Sequence, residues 1–266
     1  MSKYVLVPDS FKGTMTSREI CEIMQHAIER IDSDAKIISV PVADGGEGSV
    51  DAFLSALGGK RKAITVTGPH FEKLSSSYGI TDDGTAVIEM SACAGLPLVY
   101  GNKNPEITTT YGVGELICNA ARSGAKRIVI GLGGSATNDG GCGAAAAAGI
   151  KFYDKSGKSF IPVGRTLKDI ASIDYSGLDS ALSGVSISAM CDVDNPLLGE
   201  TGAANVFGPQ KGANVAMIAR LDAGLKHLAE VSGKAKLSSM PSAGAAGGMG
   251  FGMMAFFNCP LQMGID

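Results

Sequence analysis

The strongest constraint on the fold is a repeated order of segments. An apolar, β-like run is followed by a polar loop bearing glycine, and the loop by a helical pattern. The order occurs first at Tyr4-Val-Leu-Val-Pro8, the loop to Gly13, and a helix opened by Thr16 and Glu19, which fit a capping box. Ile20, Ile23, Met24, Ala27, Ile28 and Ile31 then recur at helical spacing and predict an amphipathic helix with one buried face. It occurs again at Lys36–Val42, the turn to Gly48, and a helix ending near Leu57 before Gly58 and Gly59. A third instance runs from Arg127–Ile130 through a long glycine loop to a small-residue helix over Gly140–Ala148. Repeated β-loop-α units build a parallel sheet with helices on its faces, and the loops gather at the carboxyl ends of the strands, where ligands bind.

Between Lys60 and Met90 the rhythm changes. Ala63–Thr67, Ser76–Thr81 and Ala86–Met90 are short β-rich runs separated by Gly-Pro and Asp-Asp-Gly turns, and they predict a small antiparallel or mixed sheet opening a second domain. Glu115–Arg122 and Asn214–Val231 read as helices and Val185–Ala189 as a strand. Residues 242–265 contain no charged side chain, but five glycines crowd the first half and Asn258 and Pro260 interrupt the second. A glycine-rich turn and a short buried helix are expected there, since a spanning helix needs about 20 continuous apolar residues.

Charge narrows the partners. Lys plus Arg total 23 against 26 Asp plus Glu, so there is no basic field for nucleic acid or an anionic membrane. The six cysteines are scattered and form no CxxC pair, which points away from a zinc or redox site and suits a reducing cytoplasm. His26 and His227 fall in helical stretches and read as ordinary helix residues.

Five loops could carry chemistry. In Pro8–Gly13, Lys12 can meet a phosphate or carboxylate, and Asp9 and Ser10 can bond a hydroxyl. In Asp44-Gly45-Gly46-Glu47-Gly48, glycines let two carboxylates approach a ligand or metal. In Gly131–Gly141, Gly133, Gly134, Ser135 and Thr137 supply the N–H and hydroxyl donors that cradle phosphate, and Asn138 and Asp139 offer oxygens to a hard cation. In Cys191–Pro196, Asp192 and Asp194 lie two apart and can point the same way from extended chain, as a metal site or general base requires. In Phe207–Ala213, a rigid turn presents Gln210 and Lys211. No GxxxxGK[ST] loop occurs, and the dinucleotide fingerprint fails because Ala136 follows Gly131 and Gly133 where a glycine is needed.

Taken in order, these segments resemble the bacterial class of glycerate kinases. The resemblance rests on PDSFKGTMT, PVADGGEGS, IEMSACAGLPLV, TTYGVGEL, IGLGGSATNDGG, CDVDNPLLG, VFGPQKGA and GAAGGMGFG, which span nearly the whole chain. It implies transfer of a phosphoryl group from ATP to D-glycerate, in most members at the 2-hydroxyl, with Mg²⁺. It also implies two α/β domains around a cleft, one Rossmann-like with a parallel sheet and one with a mixed sheet. The expected division is an N-terminal segment of the Rossmann-like domain at 1–60, a second domain at 61–255, and a return toward the first at 256–266. Family members continue through a further motif of the GEGR type, whereas the only GEG here is Gly46-Glu47-Gly48, so the resemblance leads us to expect a member lacking its C-terminal part.

The expected site follows. Lys12, Asp192 and Asp194 form the catalytic group, with the two aspartates as metal ligand and general base in either order. Asp139 and Asp192 are the metal candidates. Ser10, Asp44, Gly45, Gly46, Glu47, Gly133, Gly134, Ser135, Thr137, Asn138, Gln210 and Lys211 contact substrate or nucleotide. A homodimer is compatible with this reading. Two other classes stay open at this point, a phospho-ligand binding module and a hydroxy-acid oxidoreductase, the second opposed by the missing dinucleotide fingerprint.

Overall fold

The computed structural model describes residues 2–11, 14–43 and 45–262. Chain order begins with β1 (Lys3–Leu6), α1 (Ser17–Glu29), β2 (Lys36–Ser39) and α2 (Ser49–Leu57). It continues through β3 (Lys60–Thr67), β4 (Lys73–Ile80), β5 (Thr85–Glu89), α3 (Ser91–Ala94), α4 (Tyr111–Arg122), β6 (Arg127–Gly131) and α5 (Cys142–Ala147). Then come β7 (Lys151–Tyr153), β8 (Ser159–Phe160), β9 (Ser172–Asp174), β10 (Ser186–Met190), α6 (Ala203–Phe207), α7 (Val215–Val231), α8 (Ala245–Phe257) and β11 (Leu261–Gln262).

The first β-α-β unit forms as its sequence dictates. β1 and β2 pair in parallel, Lys3 opposite Lys36 and Leu6 opposite Ser39. The capping box at α1 is complete: the Glu19 N–H donates to Thr16 Oγ1 at 3.2 Å and the Thr16 N–H donates to Glu19 Oε2 at 2.8 Å. Thr16→Ala should therefore cost α1 about 1 kcal/mol, read as roughly fivefold faster amide exchange along the helix. One expectation is corrected. Only part of the apolar face of α1 is buried: Ile20 and Cys21 are covered, whereas Ile23 is 57% exposed, and Ile31 lies beyond the helix end. Two strands of four residues are too narrow to cover more than one strip of the helix.

The three β-rich runs after α2 do not form a sheet of their own. β5 pairs in parallel with β6, so they become the antiparallel edge of one six-stranded sheet, ordered β11-β10-β6-β5-β4-β3. In this sheet β5, β6, β10 and β11 run parallel, and Glu89 pairs with Gly131, Gly131 with Met190, and Met190 with Gln262. Those four residues draw a line across the carboxyl edge. A separate three-stranded sheet, β8-β7-β9, is antiparallel; its strands of two or three residues are too short to show a period in the sequence.

One core unites Ile88, Ile128 and Ile130 of the sheet with Val113, Leu116 and Ile117 of α4 and Met249 and Met253 of α8. A second gathers Phe152, Leu167, Leu225, Leu228, Phe251 and Phe256, with Phe152 and Phe256 edge to face at 5.8 Å. The uncharged C-terminal stretch is the expected turn and buried helix. Ala246, Gly247 and Gly248 take left-handed φ of 54°, 70° and 84° before the right-handed turns of α8 begin. Gly247 is required by contact as well, because a Cβ there would lie 2.0 Å from the Thr137 carbonyl oxygen. Among the described residues no helix is long and apolar enough to cross a membrane.

Candidate active site

Two loops meet on the carboxyl edge of the parallel strands. The Gly133 N–H donates to the Gly45 carbonyl at 3.2 Å, and the Leu132 N–H donates to the Met190 carbonyl at 3.1 Å. A Cβ at Gly131 would stand 2.0 Å from the Gly45 oxygen, and one at Gly133 would stand 2.6 Å from Gly46 Cα. Bare backbone at these positions lets the 45–48 turn lie directly on the strand ends. Gly45 is at φ 84° and Gly48 at φ 96°, a conformation that L side chains rarely adopt. From below, the Glu89 carboxylate accepts the Val50 N–H at 2.7 Å and so caps α2 immediately after the turn. Burial raises the Glu89 pKa above the usual carboxylate range, opposed chiefly by that bond.

The glycine loop grades from exposed to buried. Gly134 is exposed at φ 72°, Gly133 is half-buried, and Ser135 through Gly141 are buried. Asp139 is wholly buried. One of its oxygens accepts the Thr110 N–H at 2.8 Å, the Thr110 hydroxyl at 2.8 Å and the Gly143 N–H at 3.2 Å; the other accepts the Gly141 N–H at 3.1 Å. Burial pushes its carboxyl up while these donors pull it down. Lys211, 2% exposed, donates from Nζ to Ser135 Oγ and to the Thr137 carbonyl, both at 2.7 Å. Burial brings its pKa down to about 7, against the opposing charge of Asp139. Among the described residues, Thr137 Oγ1 and both amide atoms of Asn138 are buried without a partner. Buried polar atoms of that kind call for water or ligand.

The structure thus brings Gly45, Gly46 and Gly133 into one contact and Ser135, Thr137 and Lys211 into a second, with the Asp139 charge felt by Lys211. Asp192 and Asp194 are exposed just beyond β10, with half-buried Val193 between them and a bend in the chain at Asp192. Glu47 and Gln210 are exposed. Ser10 is half-buried, its N–H donating to Asp9 Oδ1 at 2.6 Å. The hydrogen bonds between described residues of its β1-α1-β2 unit stay within that unit. Lys12 and Asp44 lie outside the described residues. Among the described residues no three His, Cys, Asp or Glu side chains come together as a ready-made metal cage. Mg²⁺ commonly takes one or two carboxylates together with phosphate oxygens and needs no such cage. Two residues escaped the sequence reading. Glu89 ends an apolar strand and Thr110 sits in a threonine run, and neither setting announces the partners that folding brings.

An α/β sheet carrying stacked glycine loops at its carboxyl edge, with aspartates in the neighbouring loops, is suited to an enzyme that positions a phosphate-bearing ligand, as a small-molecule kinase must. The chain belongs to the glycerate kinase family, whose model matches residues 4–266. It is 48% identical to glycerate 2-kinase of Escherichia coli K12 and 46% identical to glycerate kinase of Bacillus subtilis 168, in each case over 99% of this chain. Those alignments cover 71% and 70% of the two relatives. A crystal structure from Salmonella typhimurium LT2, provisionally named glycerate kinase 2, superposes with a TM-score of 0.89 at 42% identity, over 99% of this chain and 72% of that one.

Proposed function

We propose that the protein transfers the terminal phosphoryl group of ATP to the 2-hydroxyl of D-glycerate, with Mg²⁺, giving 2-phosphoglycerate. Family membership and the names of its relatives support the substrate. The observation that carries the reading is the backbone contact between Gly133 and Gly45, which holds two glycine turns together on the strand ends. Phosphate would lie over Gly134 and Ser135; Gly133, expected from sequence as a donor, gives its N–H to the Gly45 carbonyl and serves as bare backbone, while Thr137 and Asn138 supply further polar atoms behind the loop. Exposed Asp192 and Asp194 suit a divalent cation held jointly with phosphate, one of them taking the proton of the attacking hydroxyl. The cation, when bound, would draw off charge from the phosphate oxygens. Lys12, Asp44, Glu47, Ser10 and Gln210 complete the proposed substrate contacts.

The division at 1–60 and 61–255 belongs to the same proposal. The internal hydrogen bonding of β1, α1 and β2 supports it, although α2 packs on β4 and β5. Six free, buried cysteines support a cytoplasmic setting. With ATP, MgCl₂ and D-glycerate, ³¹P NMR should show a phosphomonoester whose coupling marks C2, and chelation of Mg²⁺ should abolish it. Absence of any phosphoglycerate from the protein would sink the reading, and a C3 ester would correct its regiochemistry.

A further inference from the structure

We propose that Lys211 is a positioning residue that acts through Ser135, turning the serine hydroxyl into a committed donor for the nucleotide phosphate. The inference rests on the kinase reading above and assigns a division of labour within its site. Lys211 ends the 3-10 turn Pro209–Lys211, and Gly212 follows at φ 94°. From there its side chain runs into the interior rather than toward solvent, and two of its three N–H groups are taken by Ser135 Oγ and the Thr137 carbonyl. An ammonium has donors and no acceptor. In that charged form, which the nearby Asp139 carboxylate favours, the Ser135 oxygen accepts and its single proton does not go to Lys211. Among the described residues no acceptor takes that proton. Ser135 follows exposed Gly134 and half-buried Gly133, so the proton is left for an oxygen at the mouth of the loop.

Charge strengthens the arrangement. A hydroxyl that accepts from an ammonium is polarised and becomes a better donor to an anion. The buried cation is tolerated because the Asp139 carboxylate lies in the same cluster, anchored by Thr110, Gly141 and Gly143. A lysine that met phosphate directly would need no such buried partner. Here the ammonium lies behind the loop, and the serine carries its influence forward.

The test is a double-mutant cycle on affinity for ATP with Mg²⁺, measured by calorimetry, with thermal midpoints recorded for every variant. Ser135→Ala and Lys211→Met should each weaken ATP about tenfold. The double variant should be no weaker than Lys211→Met alone, although its thermal midpoint carries both losses. A purely structural lysine would move the midpoint and leave the two affinity losses independent. Losses that multiply to about a hundredfold overturn the inference while leaving the kinase reading in place. So does a Ser135→Ala variant that binds ATP like the parent. Failure of the parent to bind ATP overturns the kinase reading, and the inference falls with it. Should Lys211→Met not fold, Lys211→Gln keeps a donor without the charge, and the same cycle is read on it. A Gln variant that weakens ATP independently of Ser135 likewise overturns the inference.

Discussion

Asp192→Asn should lower turnover of ATP and D-glycerate by about two orders of magnitude or more, with the thermal midpoint essentially unchanged. The backbone around Asp192 is fixed from both sides. Met190 is in register with Gly131 and Gln262, and the Cys191 N–H donates to the Gln262 carbonyl at 2.9 Å. The Asp192 side chain itself is exposed, so its replacement leaves no buried cavity. Asparagine keeps the size and removes the charge, which separates a chemical role from a structural one. Steady-state kinetics beside a melting curve decide the matter. Asp194→Asn is the paired experiment, because Asp194 is the other exposed carboxylate of this loop. A turnover loss confined to Asp194→Asn would assign the chemistry to that aspartate, and near-normal turnover in both would move it off this loop.

Much of this architecture was legible in the sequence, for reasons that are local. The α1 capping box is a four-residue matter, and Thr16 and Glu19 specify it without help from the rest of the chain. The apolar run at 128–130 lies in β6 and the β-rich segment at 186–189 in β10, central neighbours in the parallel part of the sheet. Glycine clustering located the 45–48 and 131–141 loops, since only bare backbone permits the contacts they make. What the sequence did not disclose is non-local. Nothing near residue 85 says that β5 lies beside β6, and this pairing turned an expected separate sheet into one edge of a larger one. The helical periodicity of α1 marks an apolar stripe and not what covers it, and Ile23 on that stripe is exposed.

The same distinction applies to the polar residues of the glycine loop. Ser135, Asn138, Asp139 and Lys211 were recognisable as candidates from their company of glycines. Their orientation was not, because it depends on Lys211 crossing from a segment 76 residues away from Ser135 and on Thr110 approaching from a segment 29 residues before Asp139. Residue type and spacing identify a loop that can bind an anion; only the fold shows which side chains hold the loop and which remain available to a ligand.

Asp139 gives the second large effect, this time on stability. Asp139→Ala should destabilise the protein by about 3–5 kcal/mol, because it removes one member of a buried charged cluster and strands the others. Four donors would lose their acceptor: the N–H groups of Thr110, Gly141 and Gly143 and the Thr110 hydroxyl. The ammonium of Lys211 would lose the nearby negative charge that offsets its burial. Asp139→Asn should rescue little. Its amide oxygen can replace one carboxylate oxygen, but its NH₂ must then face a donor, either that of Gly141 or those of Thr110 and Gly143. Adding Lys211→Met to Asp139→Asn should recover part of the loss, since it removes the uncompensated cation. Denaturant melts of the three variants measure these differences. A residue serving chiefly as a metal ligand would behave in the opposite way, with activity lost on Asp139→Asn and stability retained. A parental midpoint in Asp139→Asn would therefore refute the structural role, and a double variant less stable than Asp139→Asn would show that Lys211 is held by Ser135 and Thr137 without need of the carboxylate.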